Sequence, residues 1–537
     1  MIKKILFSLL ALVLVLLFVV ARFFYNDANG QKYDNTVDSK NIPIFSPTSF
    51  PFTHLHDGSK SLPLMASAAI DIDNDGIDEV FMGGGLEQSD VILKYTESGF
   101  IDITEATNFE PKGKFTSTAV ATADMDDNGF QDIIISREDG LHFYFNEGGK
   151  FTHQKIETPV NQKSSPAGIT LGDIDNDGDL DIFLSTYIKK ELMKGQTKFE
   201  DYTYGSTSEL LLNEGGNRFV SITSKAGLDY VHNTFMAVFV DVDSDGYIDL
   251  VVAHDTGEVR TYKNNGDLTF TMKENPLTKK FAYPMGIAVG DYNNDTYIDF
   301  AFSNTGSTLP SMIAKGDIKD ATRFNGKYLL FKNNGDFTFN DVAEETKIAD
   351  YEFSWGLVFA DMNNDGLQDL MVAQNYVDFL PNKLFRLPGR MLIQKPDHTF
   401  AATEKQSGVV NPYYGITPLI SDFNNDGSLD FIWANINSPS LAYINKGNSG
   451  HFLKVAMAKN AKNIGAIVKV IVPSGQILTD YLSVGEGLAG DQSSVLHFGL
   501  GSNKDLVSIE IKLLDGQIIK KDSIVVNTIV YINSLLK

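Results

Sequence analysis

Cysteine is absent from all 537 residues. That removes disulfide bonds, thiolate metal sites, a cysteine nucleophile and a lipid-modified cysteine behind an export signal. Positive charge is scarce too: 45 Lys and Arg stand against 69 Asp and Glu, a formal net charge of −24. Phosphate backbones would be repelled, which excludes a nucleic-acid partner and makes cations the partner to look for. None of the nine histidines opens an H-E-x-x-H motif and no G-x-S-x-G occurs, so the common hydrolase signatures are missing. What remains is ordinary for a folding chain, with 43% hydrophobic and 21% charged residues, and too long for one hydrophobic core. Two domains or a repeat architecture are therefore expected.

The N-terminus carries an address. Lys3 and Lys4 precede an apolar run from Ile5 to Ala21, closed by Arg22, Phe23, Phe24 and Tyr25. The run exceeds a cleavable signal core, reaches the lower limit of a membrane span, and is not followed by an A-x-A-like site. Residues 1–25 are read as an uncleaved signal anchor, with cleavage and secretion as the alternative. The flanking lysines keep the N-terminus cytoplasmic and send the remainder outward, to the periplasm or cell surface. Residues 26–41, polar and rich in Asn, Asp, Gly and Ser, form a tether.

One nine-residue pattern, D-x-[DN]-x-[DN]-G-x-x-[DE], then recurs seven times between apolar runs. In the fourth copy Phe235 to Val240 leads in and Leu250 to Ala253 leads out, so each loop joins two strands of a hairpin. Oxygens at positions 1, 3, 5 and 9, with a backbone carbonyl at 7, suit calcium, a hard cation that takes six to eight oxygens. Magnesium, which dehydrates reluctantly, fits so crowded a cage less well. The side-chain ligands are Asp71, Asp73, Asp75 and Glu79; Asp124, Asp126, Asn128 and Asp132; Asp173, Asp175, Asp177 and Asp181; Asp241, Asp243, Asp245 and Asp249. The later loops supply Asp291, Asn293, Asp295 and Asp299; Asp361, Asn363, Asp365 and Asp369; Asp422, Asn424, Asp426 and Asp430. Turn chemistry alone explains Asp, Asn and Gly in one loop but does not require 24 carboxylates at these positions. So many like charges repel strongly without a counterion. Up to seven calcium ions are expected. The fifth loop departs most, because Thr296 stands where the other six have Gly, and a β-branched residue resists left-handed backbone angles.

After each outgoing strand comes a third that ends in a turn, then a fourth led by Phe, as in Tyr262 to Phe270 and Phe331 to Phe339. Four strands per repeat make a propeller blade, and seven loops predict seven blades over residues 42–447. The seventh lacks a fourth strand of its own. Residues near 44–56 are expected to supply it, Phe52 to His56 having the register of Phe100 to Thr104. The Asp loops resemble the FG-GAP and VCBS repeats of integrin α-subunit propellers, and Phe339 to Glu345 followed by Trp355-Gly356 resembles the cartilage acidic proteins. Asn463 to Val470, Gly485 to Ser494 and His497 to Gly501 are similar to the ASPIC/UnbV domain that follows such propellers, which places that domain at 448–537. Its usual W-P-S-G is here Leu513-Leu-Asp-Gly516.

Rival chemistries are weak. Gly485-Glu-Gly-Leu-Ala-Gly490 matches G-x-G-x-x-G, but a β-like run follows instead of a helix, so no nucleotide is expected. His54 and His56 could bind a transition metal from one face of a strand, though exposed histidines without function are the simpler reading. The sequence is read as an all-β, calcium-binding, extracytoplasmic module that binds a protein or glycan, not an enzyme. The alternative is a glycosidase or lyase with carboxylates in the channel. Long insertions at Tyr187 to Glu209, Asn304 to Lys327 and Asn375 to Arg390 lie on the face opposite the Asp loops. Tyr187, Tyr202, Tyr204, Tyr376, Phe379 and Phe385 within them are the candidate partner-binding residues.

Overall fold

The computed structural model describes residues 10–17, 33–109, 114–156, 158–160, 162–193, 198–306, 314–374, 387–447 and 450–532. The chain is all-β, with 42% of residues in strands. Apolar runs separated by Asp-Gly turns fold as antiparallel hairpins. Seven sheets are ordered along the chain as simple up-and-down meanders. The second, for example, runs Ala119–Ala123, Asp132–Arg137, Gly140–Asn146 and Phe151–Ile156. Burial falls from first strand to last: Ala119–Ala123 is wholly buried, while Phe151–Ile156 exposes its four central residues. The inner strands are covered on both faces, which explains why they read as continuous apolar runs instead of alternating ones.

The first strands touch one another in a cycle. Ser67–Ile70 contacts Ala119–Ala123, and contacts continue through Ser164–Gly172, Thr234–Val240, Ile287–Gly290, Ser354–Ala360 and Tyr414–Ser421 back to Ser67–Ile70. No sheet closes on itself; the cycle is made by packing. Packing is tight enough to dictate sequence. A Cβ on Gly168 would lie 2.4 Å from the Phe235 carbonyl oxygen, and one on Gly356 would lie 2.7 Å from that of Ile416.

The seventh sheet, Tyr414–Ser421, Asp430–Ile436 and Leu441–Asn445, takes its fourth strand from the N-terminal side, as expected, but from Phe45–Thr48. Phe45 pairs with Asn445 as Phe339 pairs with Asn333 and Phe270 with Asn264. Phe45, not Phe52, is thus the leading phenylalanine. Residues 52–56 instead pass over the turn between the last two strands, where Phe52 and His54 accept from the Ser440 and Asn437 amides. His54 and His56 are buried, which corrects the expectation of exposed histidines. Burial holds His54 down to about 4, and its Nδ1 lies 2.8 Å from the Gly83 carbonyl.

The C-terminal region has two sheets of its own. His451–Ala456 lies between Val495–Gly501 and Thr528–Tyr531, and Ile467–Ile471 lies between Ile477–Tyr481 and Val507–Lys512, with Ile518–Ile524 outside. Leu453, Val455, Val468, Val470, Phe498 and Ile509 fill the space between them. At the N-terminus residues 10–17 are helical, and among the described residues no helix is long and apolar enough to cross a membrane. The rest of the expected anchor and residues 26–32 of the tether lie outside the described residues, whereas residues 33–41 pack on the sixth sheet, with Tyr33 stacked on Tyr351 and Asp34 paired with Lys395 at 2.8 Å, which corrects the expectation of a free tether.

Phe45 is buried and meets Phe431 edge-on at 5.2 Å between ring centroids. Phe45→Ala should therefore cost about 3–5 kcal/mol in urea unfolding. Its exposed neighbour Ile44 changed to Ala should stay within about 0.5 kcal/mol. Equal, small effects from both would contradict a closing role for this strand.

Candidate metal centres

All seven loops share one local geometry. The position 1 carboxylate accepts the amides of positions 5 and 6, as Asp173 does from Asp177 at 3.1 Å and Gly178 at 2.9 Å. Position 4 is left-handed in every copy, from Asn74 to Asn425, and so is position 6. Thr296 adopts φ +74° and donates its amide to Asp291 at 2.8 Å, so the fifth loop keeps the turn despite its β-branch. The position 9 carboxylate is buried at the head of the second strand. One oxygen of Asp132 accepts the Met125 amide at 2.8 Å and the other accepts the Asn146 amide at 2.7 Å.

The acids converge. Three carboxylates bring oxygens within 4.8 Å of one another in five loops: Asp71, Asp73 and Glu79; Asp124, Asp126 and Asp132; Asp173, Asp175 and Asp181; Asp241, Asp243 and Asp249; Asp291, Asp295 and Asp299. In the sixth and seventh, Asp361 with Asp365 and Asp422 with Asp426 are held by the same position 1 to position 5 hydrogen bonds. Burial, reinforced by neighbouring carboxylates, pushes Asp132, Asp181 and Asp249 up to about 8. The position 3 oxygen Oδ1 of Asp175 has no hydrogen-bond partner. An oxygen-rich set of this kind fits a hard divalent cation.

Neighbouring loops are latched together by amide side chains. Asn74, Asn176, Asn294 and Asn364 at position 4 donate to the Gly129, Gly246, Gly366 and Gly427 carbonyls of the next loop, at 2.8–3.2 Å. In the other direction Asn146, Asn264, Asn333, Gln394 and Asn445 end their third strands and donate to Ile72, Ile174, Val242, Tyr292 and Met362 of the preceding loop. The sequence shows these residues as turn formers; their cross-sheet role depends on sheet placement.

The C-terminal region sits on this acidic face. Lys454 Nζ donates to Asp422 Oδ2 at 2.8 Å, Lys512 Nζ to the Ser244 carbonyl at 3.1 Å, and His497 Nε2 lies 2.7 Å from Asn364 Oδ1. From it Val484 to Gln492 enters the middle of the ring. Gly490 and Asp491 pair in parallel with Ser67 and Ala68 of the first sheet. Ala489 and Asp491 accept amides of Val120 and Thr122 from the second, Val484 accepts Thr170 Oγ1 from the third, and the Ala489 amide points to Met236 Sδ of the fourth. Gly487 and Ile287 exchange amide bonds in the fifth, and Leu488 donates to Thr417 Oγ1 of the seventh. The glycine spacing has a steric cause. A Cβ on Gly485 would lie 2.6 Å from the Ile169 oxygen, on Gly487 2.5 Å from Thr417 Oγ1, and on Gly490 2.7 Å from the Ser67 oxygen.

Residues 124–184, 241–302 and 321–372 match the FG-GAP-like repeat family, and residues 456–534 match the ASPIC and UnbV family. FG-GAP-like repeats and, after them, an ASPIC/UnbV domain are therefore found in this chain. It is homologous to cartilage acidic protein 1. The Xenopus tropicalis protein is 25% identical over 349 residues, 59% of this chain and 48% of the relative, and the human protein 22% over 506 residues, 85% and 69%. This chain thus spans about half the length of the former. The crystal structure of BBS1N in complex with ARL6DN has a TM-score of 0.42 at 10% identity, covering 78% of this chain and 98% of that one. Similarity at that level says nothing about function. The first and seventh Asp loops lie outside the matched FG-GAP segments yet have the same turn geometry.

Of the candidate partner residues in the FG-GAP sheets, Tyr202 is 61% exposed and Tyr204 half-buried. Tyr187 is buried, donates to Asp255 Oδ2 at 2.6 Å and stacks on Phe235, so it packs the insertion instead of facing a partner. Tyr376, Phe379 and Phe385 lie outside the described residues. Sequence reading missed Phe199, which meets Phe281, Tyr283 and Phe324 and ties the two described insertions together. The Phe199 amide donates to Asp317 at 2.7 Å, and Arg323 pairs with Glu200 at 3.3 Å.

Beneath the ASPIC/UnbV loop a cavity of about 100 Å³ is lined by Asp361, Asp480, Glu486, Asp491 and His497. Lys459 compensates Asp491 at 3.0 Å. Burial pushes Glu486 up to about 8 and Asp480 up to about 7. The folded state therefore holds these protons in a range where the unfolded chain has released them, and their contribution to stability is lost as pH rises from about 4.5 towards 8. At saturating calcium, urea midpoints should fall across that window, and Glu486→Gln should flatten the fall. A variant that keeps the full wild-type slope would show that Glu486 does not titrate there.

Proposed function

We propose that this protein is an exported, membrane-anchored, calcium-binding seven-bladed β-propeller that serves as a binding module for a protein or glycan. The seven meanders, the cycle of first-strand contacts and the fourth strand supplied by Phe45–Thr48 support the propeller reading. The converging carboxylates support calcium as a structural ion, held by the side chains at positions 1, 3, 5 and 9. One observation favours binding over catalysis: the loop from Val484 to Gln492 occupies the ring centre, where a channel enzyme would need open space. Three buried acids at the opposite end are committed to partners. Asp90 pairs with Arg137, and Glu352 and Glu404 both pair with Arg390, all buried. The ASPIC/UnbV domain sits on part of the acidic face, which favours the insertion-bearing face, with Tyr202, as the ligand surface.

Two measurements test this reading. Calcium at ten to a hundred times a loop's dissociation constant adds about 1.4–2.7 kcal/mol per site. Several sites together match a whole domain's stability of about 5–15 kcal/mol. Excess chelator should lower the melting temperature by tens of degrees, and an unchanged melt would remove calcium from the account. On a glycan and protein array, capture in calcium should weaken severalfold for Tyr202→Ala with melting unaltered. Polysaccharide cleavage by the wild type would favour the enzyme alternative instead.

A further inference from the structure

The seven loops differ at one position of the third strand. Each loop's second strand continues past position 9 with a residue that pairs across to the third strand: Val80 with Leu93, Ile133 with Tyr144, Ile182 with Leu211, Leu250 with Tyr262, Phe300 with Phe331, Leu370 with Leu392 and Phe431 with Tyr443. The next third-strand residue is Lys94 in the first sheet, Lys263 in the fourth and Lys332 in the fifth, but Phe145, Leu212, Ile393 and Ile444 in the others. All three lysines reach into their own Asp loop. Lys94 Nζ lies 2.5 Å from Glu79 Oε1, 3.5 Å from Asp75 and 3.6 Å from Asp73. Lys263 Nζ pairs with Asp243 and lies 2.6 Å from Asp245, and Lys332 Nζ lies 3.1 Å from Asp295. The ammonium thus stands among the same oxygens that would coordinate a cation.

We propose that Lys94, Lys263 and Lys332 are built-in competitors for calcium, dividing the loops into a strong class without the lysine (second, third and sixth) and a weak class with it (first, fourth and fifth). This rests on the calcium reading above. Calcium entering a lysine-bearing loop must displace the ammonium or accept a positive charge about 5 Å away, which weakens binding by about tenfold even at the dielectric constant of water. Among the described residues, no Lys or Arg pairs with the acids of the second, third or sixth loop, so no ammonium there competes with an entering cation. The side chains of Lys94, Lys263 and Lys332 are 35%, 25% and 34% exposed, so each can swing out to water when the ion arrives. The seventh loop stands outside this division. Its lysine, Lys454, comes from the ASPIC/UnbV domain and reaches Asp422 and Asn425, while Asp430 Oδ2 keeps no hydrogen-bond partner. The consequence is graded occupancy: strong loops hold their ions at low calcium, and the lysine loops fill only when calcium rises.

Calcium titration of the full chain by calorimetry and equilibrium dialysis decides between the possibilities. Wild type should show a tight class and a class about tenfold or more weaker. The triple variant K94M/K263M/K332M should convert three weak sites into tight ones. In the opposite direction, Leu212→Lys should move one site from tight to weak, giving an independent reading if the triple variant folds poorly. Unchanged classes in both variants would overturn the competitor role while leaving calcium binding intact. No calcium bound by wild type would overturn the underlying reading itself.

Discussion

Everything in this fold leans on a carboxylate at the head of each second strand. In the second to sixth loops the position 9 acid accepts the amide of position 2 through one oxygen and an amide near the end of the third strand through the other, as Asp249 does from Val242 and Asn264, both at 2.9 Å. It therefore sets the loop and the register of the third strand at once. A neutral acceptor of the same shape could make those bonds, but this acid is buried beside the carboxylates at positions 1, 3 and 5, which face the same point. The turn is built from groups that repel one another. A cation, whether calcium or a lysine ammonium, is what allows the geometry to be kept with its charge.

Repetition of that unit concentrates negative charge at one end of the ring, and the chain answers with its own C-terminal domain. Lys454 and Lys512 bring positive charge to the rim, and Lys459 brings it beneath the loop that fills the centre. Glycines at 485, 487 and 490 let backbone approach backbone, so the loop bonds to six of the seven sheets without a side chain in the way. Filling the centre has a consequence for chemistry: the middle of the ring is not left open to a large substrate, and the aromatic insertions lie at the other end.

Legibility in the sequence follows the range of the interactions. The loops were readable because their ligands fall within nine residues, and a local spacing survives without knowledge of the fold. Closure of the last sheet was readable in outline, since a meander missing a strand must find one. Its register was not, because Phe45 and Phe52 offer the same local signal and only the pairing with Asn445 separates them. The glycines of Gly485 to Gly490 could be detached from a nucleotide by the missing helix, but their purpose lies in contacts with residues hundreds of positions away. Tyr187 was misplaced for a related reason. An aromatic in a long insertion has the same composition whether it faces water or, as here, stacks on Phe235 and bonds to Asp255.

The two ends of the ring thus bear different physics. At the Asp-loop end, carboxylates converge and latches such as Asn364 to Gly427 tie neighbouring loops together. At the other end, order comes from buried ion pairs such as Asp90 with Arg137 and from apolar contact, with Phe199, Phe281 and Phe324 joining the insertions of the third and fifth sheets across the fourth. Under the proposed calcium binding, ions would act on the first end directly and on the second only through the strands that run between them. A ligand on the insertion face would therefore sense calcium through the scaffold and not by coordination. Such a division suits the proposed binding module, in which ions would hold the shape and the insertion face would recognise the ligand.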